Sequence, residues 1–101
     1  MSRMEESLKD MLKHGRKFER LRIEESGIFI RKIPPSQLEP GYLAVEINPI
    51  GQNGLPMYKI GALLRNQSEL SAVRAILSHE KVDELIHAVE KVNSQQSENK
   101  R

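Results

Sequence analysis

The stretch Tyr42-Leu43-Ala44-Val45-Glu46-Ile47-Asn48 decides the fold. Leu43, Val45 and Ile47 alternate with Tyr42, Ala44 and Glu46, the period of two that marks a half-buried strand. Pro49 stops it, and Gly51-Gln52-Asn53-Gly54 follows as turn chemistry, with Asn-Gly the strongest short hairpin signal. Beyond the turn, Met57 to Leu64 reads as a second arm. It sets Tyr58, Ile60, Ala62 and Leu64 opposite Met57, Lys59, Gly61 and Leu63.

Upstream, Ile28 to Ile33 is another strand, closed by Pro34-Pro35 and a proline-bounded loop. Glu25-Ser26-Gly27 joins it to a first strand within residues 17–24, where Leu21 and Ile23 alternate with Arg20, Arg22 and Glu24. Outside these strands the period changes to that of a helix. Met4, Leu8, Met11 and Leu12 form one stripe over residues 3–14, with Ser2 and Glu5 at capping-box spacing and Gly15 as the stop. Leu70, Val73, Ile76 and Leu77 mark a helix over 67–77. Val82, Leu85, Ile86, Val89 and Val92 mark another over 79–93, with Ser78 as break and N-cap.

This order implies an α+β fold: a four-stranded antiparallel sheet with an N-terminal helix and two C-terminal helices packed on one face. The expected organisation is an N-terminal helix in 1–15, an α+β domain over 16–93, and a mobile tail over 94–101 that carries no apolar residue.

Composition narrows the function classes. The 101 residues include no cysteine, which removes disulfides, thiolate catalysis and zinc–cysteine sites. Apolar runs fall short of a membrane span, and the charged start MSRMEESLKDML does not read as a secretion signal, so a cytoplasmic location is expected. Glycine-rich nucleotide loops, nucleophile elbows and HExxH are missing, so no catalytic residue and no cofactor is expected. His79, Asp83 and His87 share a helix face, but the two histidines lie about 12 Å apart along the axis and cannot close on one ion. No metal is expected.

Net charge is +2, yet Lys13, Arg16, Lys17, Arg20 and Arg22 crowd five cations against Glu19 alone. If Leu21, Ile23, Ile28, Ile30, Leu43, Val45, Ile47, Tyr58, Ile60 and Leu64 lie under the helices, alternation turns the opposite set outward. That set is Arg20, Arg22, Glu24, Phe29, Arg31, Tyr42, Glu46, Met57 and Lys59. Cations that neutralise phosphates and rings that stack on bases are what single-stranded nucleic acid requires. The candidate nucleic-acid-binding residues are therefore Arg20, Arg22, Phe29, Arg31, Tyr42 and Lys59. A solvated sheet face that happens to carry arginines is the plainer alternative, and Glu24 and Glu46 favour it. The stripe Val82, Leu85, Ile86 and Val89 exceeds what one small sheet needs as cover, so it is the candidate oligomer interface of a homodimer. A protein-interaction subunit acting through that apolar helical surface, without nucleic acid, is the second functional reading.

Lys59, Gly61, Leu64 and Asn66, at the last strand and its turn into a helix, carry a family resemblance. With four antiparallel strands followed by an amphipathic helix, Phe18 to Leu77 resembles the positive-coactivator and Whirly type of single-stranded-DNA-binding fold. The element order is also similar to archaeal single-stranded-DNA-binding proteins of the ThermoDBP type. The resemblance implies a dimer held by the helix and a strand of DNA gripped by the sheet. Here Ile60 separates the basic residue from the glycine, and Asn48-Pro49 stands where the family carries an aromatic residue.

Overall fold

The computed structural model describes residues 2–99. Its elements are α1 (Arg3–His14), β1 (Arg20–Ile23), β2 (Ile28–Ile33), β3 (Tyr42–Ile47), β4 (Ala62–Leu64), α2 (Gln67–Leu77) and α3 (Glu80–Asn99). The four strands form one antiparallel sheet in the order β1-β2-β3-β4, the α+β arrangement expected from the strand and helix periods. Among the described residues no helix is long and apolar enough to cross a membrane.

Local chemistry accounts for most boundaries. The Glu5 N–H donates to Ser2 Oγ at 3.1 Å, and Gly15 closes α1 through its N–H to the Met11 carbonyl at 2.8 Å. Two flanks of β1 leave the extended region: Phe18 has φ 60° and Glu24 has φ 53°, which shortens the expected strand to four residues. Gly27 (φ 81°) carries the hairpin turn, and its carbonyl receives the Asn48 N–H at 2.9 Å. A Cβ there would sit 3.1 Å from the Asn48 oxygen. Gly27→Ala is expected to cost about 1–2 kcal/mol in urea unfolding, because the turn requires a left-handed residue in a tight space. A loss below about 0.5 kcal/mol would show that the turn relaxes at no cost.

The second hairpin departs most from expectation. Only Ala62–Leu64 pairs with β3, whereas Met57 to Gly61 leaves the ladder. Pro49 and Pro56 lack N–H donors, and in this stretch the arms pair by backbone in a single isolated bridge, Ile50 with Pro56. The Tyr58 N–H is taken by the Asn48 side chain instead of a strand. At the other end of the chain, α3 continues through Asn99 where a mobile tail is expected from Ser94, since Ser94 to Asn99 contains no glycine or proline to stop it. Lys100 and Arg101 lie outside the described residues. The break at Ser78 is present, but His79 caps α3, its Nδ1 accepting from the Lys81 N–H at 3.0 Å, while Ser78 Oγ closes α2 on the Arg74 carbonyl.

The chain divides into two compact units between Gln67 and Ser68, whereas the sequence pattern groups 16–93 and sets 1–15 apart. Helix α1 joins the sheet unit: Lys32 Nζ donates to the Gly15 carbonyl at 2.8 Å, and Leu8, Leu12 and Leu43 line one shallow groove. Helices α2 and α3 make up the second unit.

Pairing register follows the sequence pattern, with Arg22, Phe29, Glu46 and Leu63 in one row and Leu21, Ile30, Val45 and Leu64 in the next. Within the unit that holds the sheet, the side that is buried is the reverse of the expected one. Phe29, Arg31, Ala44 and Glu46 are buried, whereas Leu21, Ile28, Val45 and Ile47 are 37–47% exposed. Leu64 is buried as expected. The inversion has a physical cause: the segment 49–61, freed from the ladder, returns over the polar face, and that face satisfies its own charges.

Candidate functional site

Glu46 sits at the centre of the covered face, fully buried. Its Oε1 accepts from Arg31 Nε at 2.8 Å and Arg20 Nε at 3.2 Å. Its Oε2 accepts from Arg20 Nη2 and Asn48 Nδ2, both at 2.9 Å, and from the Gly61 N–H at 2.8 Å. Strand alternation places these groups together: Arg20 pairs with Arg31 across β1–β2, and Phe29 with Glu46 across β2–β3. Gly61 is a glycine by necessity, because a Cβ would collide with the Ile47 carbonyl oxygen and meet Asn48 Cβ at 2.9 Å. Burial alone would push the Glu46 carboxyl up. The donors from Arg31, Gly61, Asn48 and Arg20 outweigh it and lower the pKa from 4.5 to about 2.

The same cluster holds two stretches of backbone, at Phe18 and at Tyr58-Lys59. Arg31 Nη1 donates to the Phe18 carbonyl at 3.3 Å, and Arg20 Nη2 to the Lys59 carbonyl at 2.9 Å. Asn48 grips Tyr58 on both sides, donating to its carbonyl at 2.7 Å and accepting its N–H at 3.0 Å. What this anchors faces water. Phe18 and Tyr58 are 53% and 56% exposed, and Lys17 and Lys59 are exposed beside them in the chain. Arg16 is exposed too, its Nε 3.9 Å from Glu19.

The sequence-derived residues are thereby redistributed. Arg20 and Arg31 are committed to Glu46, and Phe29 lies buried beneath the Arg20 guanidinium, 4.9 Å from ring centroid to Cζ. Phe29 and Arg31 present no open surface to base or phosphate, and Arg20 keeps only 26% of its side chain exposed, which corrects the expectation of an exposed basic face. Arg22 is half-buried, bonded to the Gly54 carbonyl at 3.5 Å and 3.7 Å from Glu25, with its Nε buried and unpartnered. Tyr42 is half-buried under Arg65, 5.4 Å away. Lys59 alone keeps the expected exposure, though on the returning segment and not on a strand. Sequence reasoning missed Phe18 and Tyr58. Their signal is present, a ring beside a lysine in Lys17-Phe18 and Tyr58-Lys59, but alternation sets Tyr58 on the covered side, and Phe18 precedes the alternating residues of the first strand.

On the second unit, Leu85, Ile86, Val89 and Val92 are 53–58% exposed, and Val82 is half-buried. Among the described residues no group of three or more histidine, aspartate or glutamate side chains is placed to hold a metal ion. No protein-family model, curated protein or solved structure matches the chain.

Proposed function

We propose that this chain is a non-enzymatic, cytoplasmic module that binds single-stranded nucleic acid on the rim of the covered sheet face. One observation carries the reading: a buried ion cluster tethers the backbones of Phe18, Tyr58 and Lys59, and the two rings stand exposed beside lysines. A ring on a fixed backbone stacks on a base with little ordering cost, and neighbouring ammonium groups neutralise the phosphates between stacked bases. The cluster thus acts as a scaffold, not as the contact surface.

Titration of labelled oligo-dT and oligo-U tests this. Affinity should fall with salt, at a slope near 0.7 for each neutralised phosphate, with about two to three contacts from Lys17, Lys59 and Arg16. Lys59→Ala should lower the slope by a fraction of a unit to about one. Phe18→Ala and Tyr58→Ala should each weaken binding by about 1–3 kcal/mol at every salt concentration. Absence of binding to either oligomer at about 50 mM salt would end the reading.

The exposed stripe of α3 favours a second reading, a protein-interaction subunit that pairs through Val82, Leu85, Ile86 and Val89 into a homodimer. Leu85→Glu should then lower the mass measured by light scattering; an unchanged mass would dismiss the stripe as a seam.

A further inference from the structure

Asn53-Gly54, in the segment between β3 and β4, sets a side-chain amide next to the least hindered backbone nitrogen a chain can offer. Glycine has no Cβ to screen that nitrogen, and Gly54 stands at φ 80° with open space where a Cβ would lie. The turn also holds the amide in place. The Leu55 N–H donates to Asn53 Oδ1 at 3.0 Å. That bond polarises the side-chain carbonyl and puts a donor where negative charge gathers when Cγ is attacked. Arg22 Nη1, 3.5 Å from the Gly54 carbonyl, sets the turn against β1. The Gly54 N–H is bonded to the Gly51 carbonyl at 3.0 Å, so this bond must open first. A turn bond in an exposed loop opens more readily than one inside a helix or a ladder. All these groups belong to the unit that holds the sheet.

We propose that Asn53 is a self-modifying position, converted by water to aspartate and isoaspartate through a cyclic imide with Gly54. The Gly54 nitrogen loses its proton and bonds to Asn53 Cγ. The bond from Cγ to the side-chain nitrogen breaks, and that nitrogen takes up a proton and leaves as ammonia. Water then opens the imide. Cleavage between Cγ and the Gly54 nitrogen yields aspartate, whereas cleavage at the backbone carbonyl yields isoaspartate, with the chain running through Cγ. One water is consumed, one ammonia is released, and nothing is oxidised or reduced. No other asparagine precedes a glycine. Asn48 precedes Pro49, whose nitrogen carries no hydrogen. Asn66 precedes Gln67 and Asn93 precedes Ser94, each with a side chain beside the nitrogen, and Ser94 lies inside α3. Conversion adds a carboxylate to the turn that Arg22 contacts and lowers the formal net charge of +2 by one. Isoaspartate also lengthens the backbone within the turn that the Gly51 N–H closes on the Leu55 carbonyl at 2.8 Å. This chemistry needs no nucleic acid.

Peptide mapping by mass spectrometry tests the position, with the full chain kept folded in mildly alkaline buffer at body temperature and sampled over days. Residue 53, located by fragmentation, should pass through a form lighter by one ammonia and end one mass unit heavier, as two separable isomers. The isoaspartyl isomer should accept a methyl group from a protein isoaspartyl methyltransferase. Asn48, Asn66 and Asn93 should convert about tenfold more slowly or not at all. Gly54→Ala adds a Cβ that meets no atom within 4 Å but screens the nitrogen, and should slow conversion about tenfold. Asn53→Gln leaves the glycine in place and guards against a Gly54→Ala variant whose turn opens. Its longer amide would have to close a six-membered ring, so the mass at this position should stay constant. Conversion spread evenly over the asparagines would overturn the proposal, as would a chain of constant mass, an unslowed Gly54→Ala, or the same mass gain in Asn53→Gln.

Discussion

Glu46→Ala is expected to destabilise the sheet unit by about 3–5 kcal/mol in urea unfolding. The loss exceeds that of any single hydrogen bond because of what remains behind. Arg20 and Arg31 converge on the Glu46 carboxylate, and Arg31 is itself buried. Without the carboxylate, two guanidinium groups face each other with no counter-charge, and the Gly61 N–H and Asn48 amide lose an acceptor. For a unit of this size such a loss is a large share of the total stability. The returning segment should loosen first, so amide exchange at Tyr58 and Gly61 should accelerate before the β2–β3 ladder opens. Replacing Arg20, Arg31 and Glu46 together by apolar residues should be far milder than the single change, since an isosteric apolar cluster leaves no orphaned charge. A loss below about 1 kcal/mol for Glu46→Ala would show that water reaches the arginines and that the cluster is not the scaffold described.

Acid should act through the same carboxylate. The Glu46 pKa is lowered from 4.5 to about 2, so the folded protein holds this proton less tightly than the unfolded chain does. Its contribution is therefore complete above the unfolded value of 4.5 and is lost as pH falls toward and through about 2. The linked stabilisation is on the order of 3 kcal/mol. Stability measured by urea unfolding at pH values from about 5 down to 2 should decline by that order in the native chain. In Glu46→Gln the same interval should show a shallower decline, carried only by other carboxylates. Equal slopes for the two proteins would remove Glu46 as the acid-sensitive group. Nucleic-acid affinity of the Glu46→Gln variant should also weaken if the cluster positions Phe18 and Tyr58, since both are anchored through its partners and touch it only by backbone.

Much of the architecture follows from the sequence by itself. Strict alternation in Tyr42 to Ile47 determines the strand and its register, since a slip of one residue would exchange its faces. Ser2, Gly15 and Gly27 mark the helix ends and the turn through backbone chemistry that acts locally. Alternation, however, sorts residues into two sets and does not say which set is inside. Hydrophobicity favours burying Leu21, Ile28, Val45 and Ile47, and the unit that holds the sheet instead covers Phe29, Arg31, Ala44 and Glu46. Only the tertiary structure decides this, because the deciding contacts join positions far apart in the chain: Arg20 with Glu46, Arg20 with the Lys59 carbonyl, and Glu46 with the Gly61 N–H. Around Glu46 the donors of Arg20, Arg31, Asn48 and Gly61 find acceptors, so residues that read as a solvent face become an interior. The same long-range bonds turn Tyr58 and Lys59 from strand positions into an exposed rim.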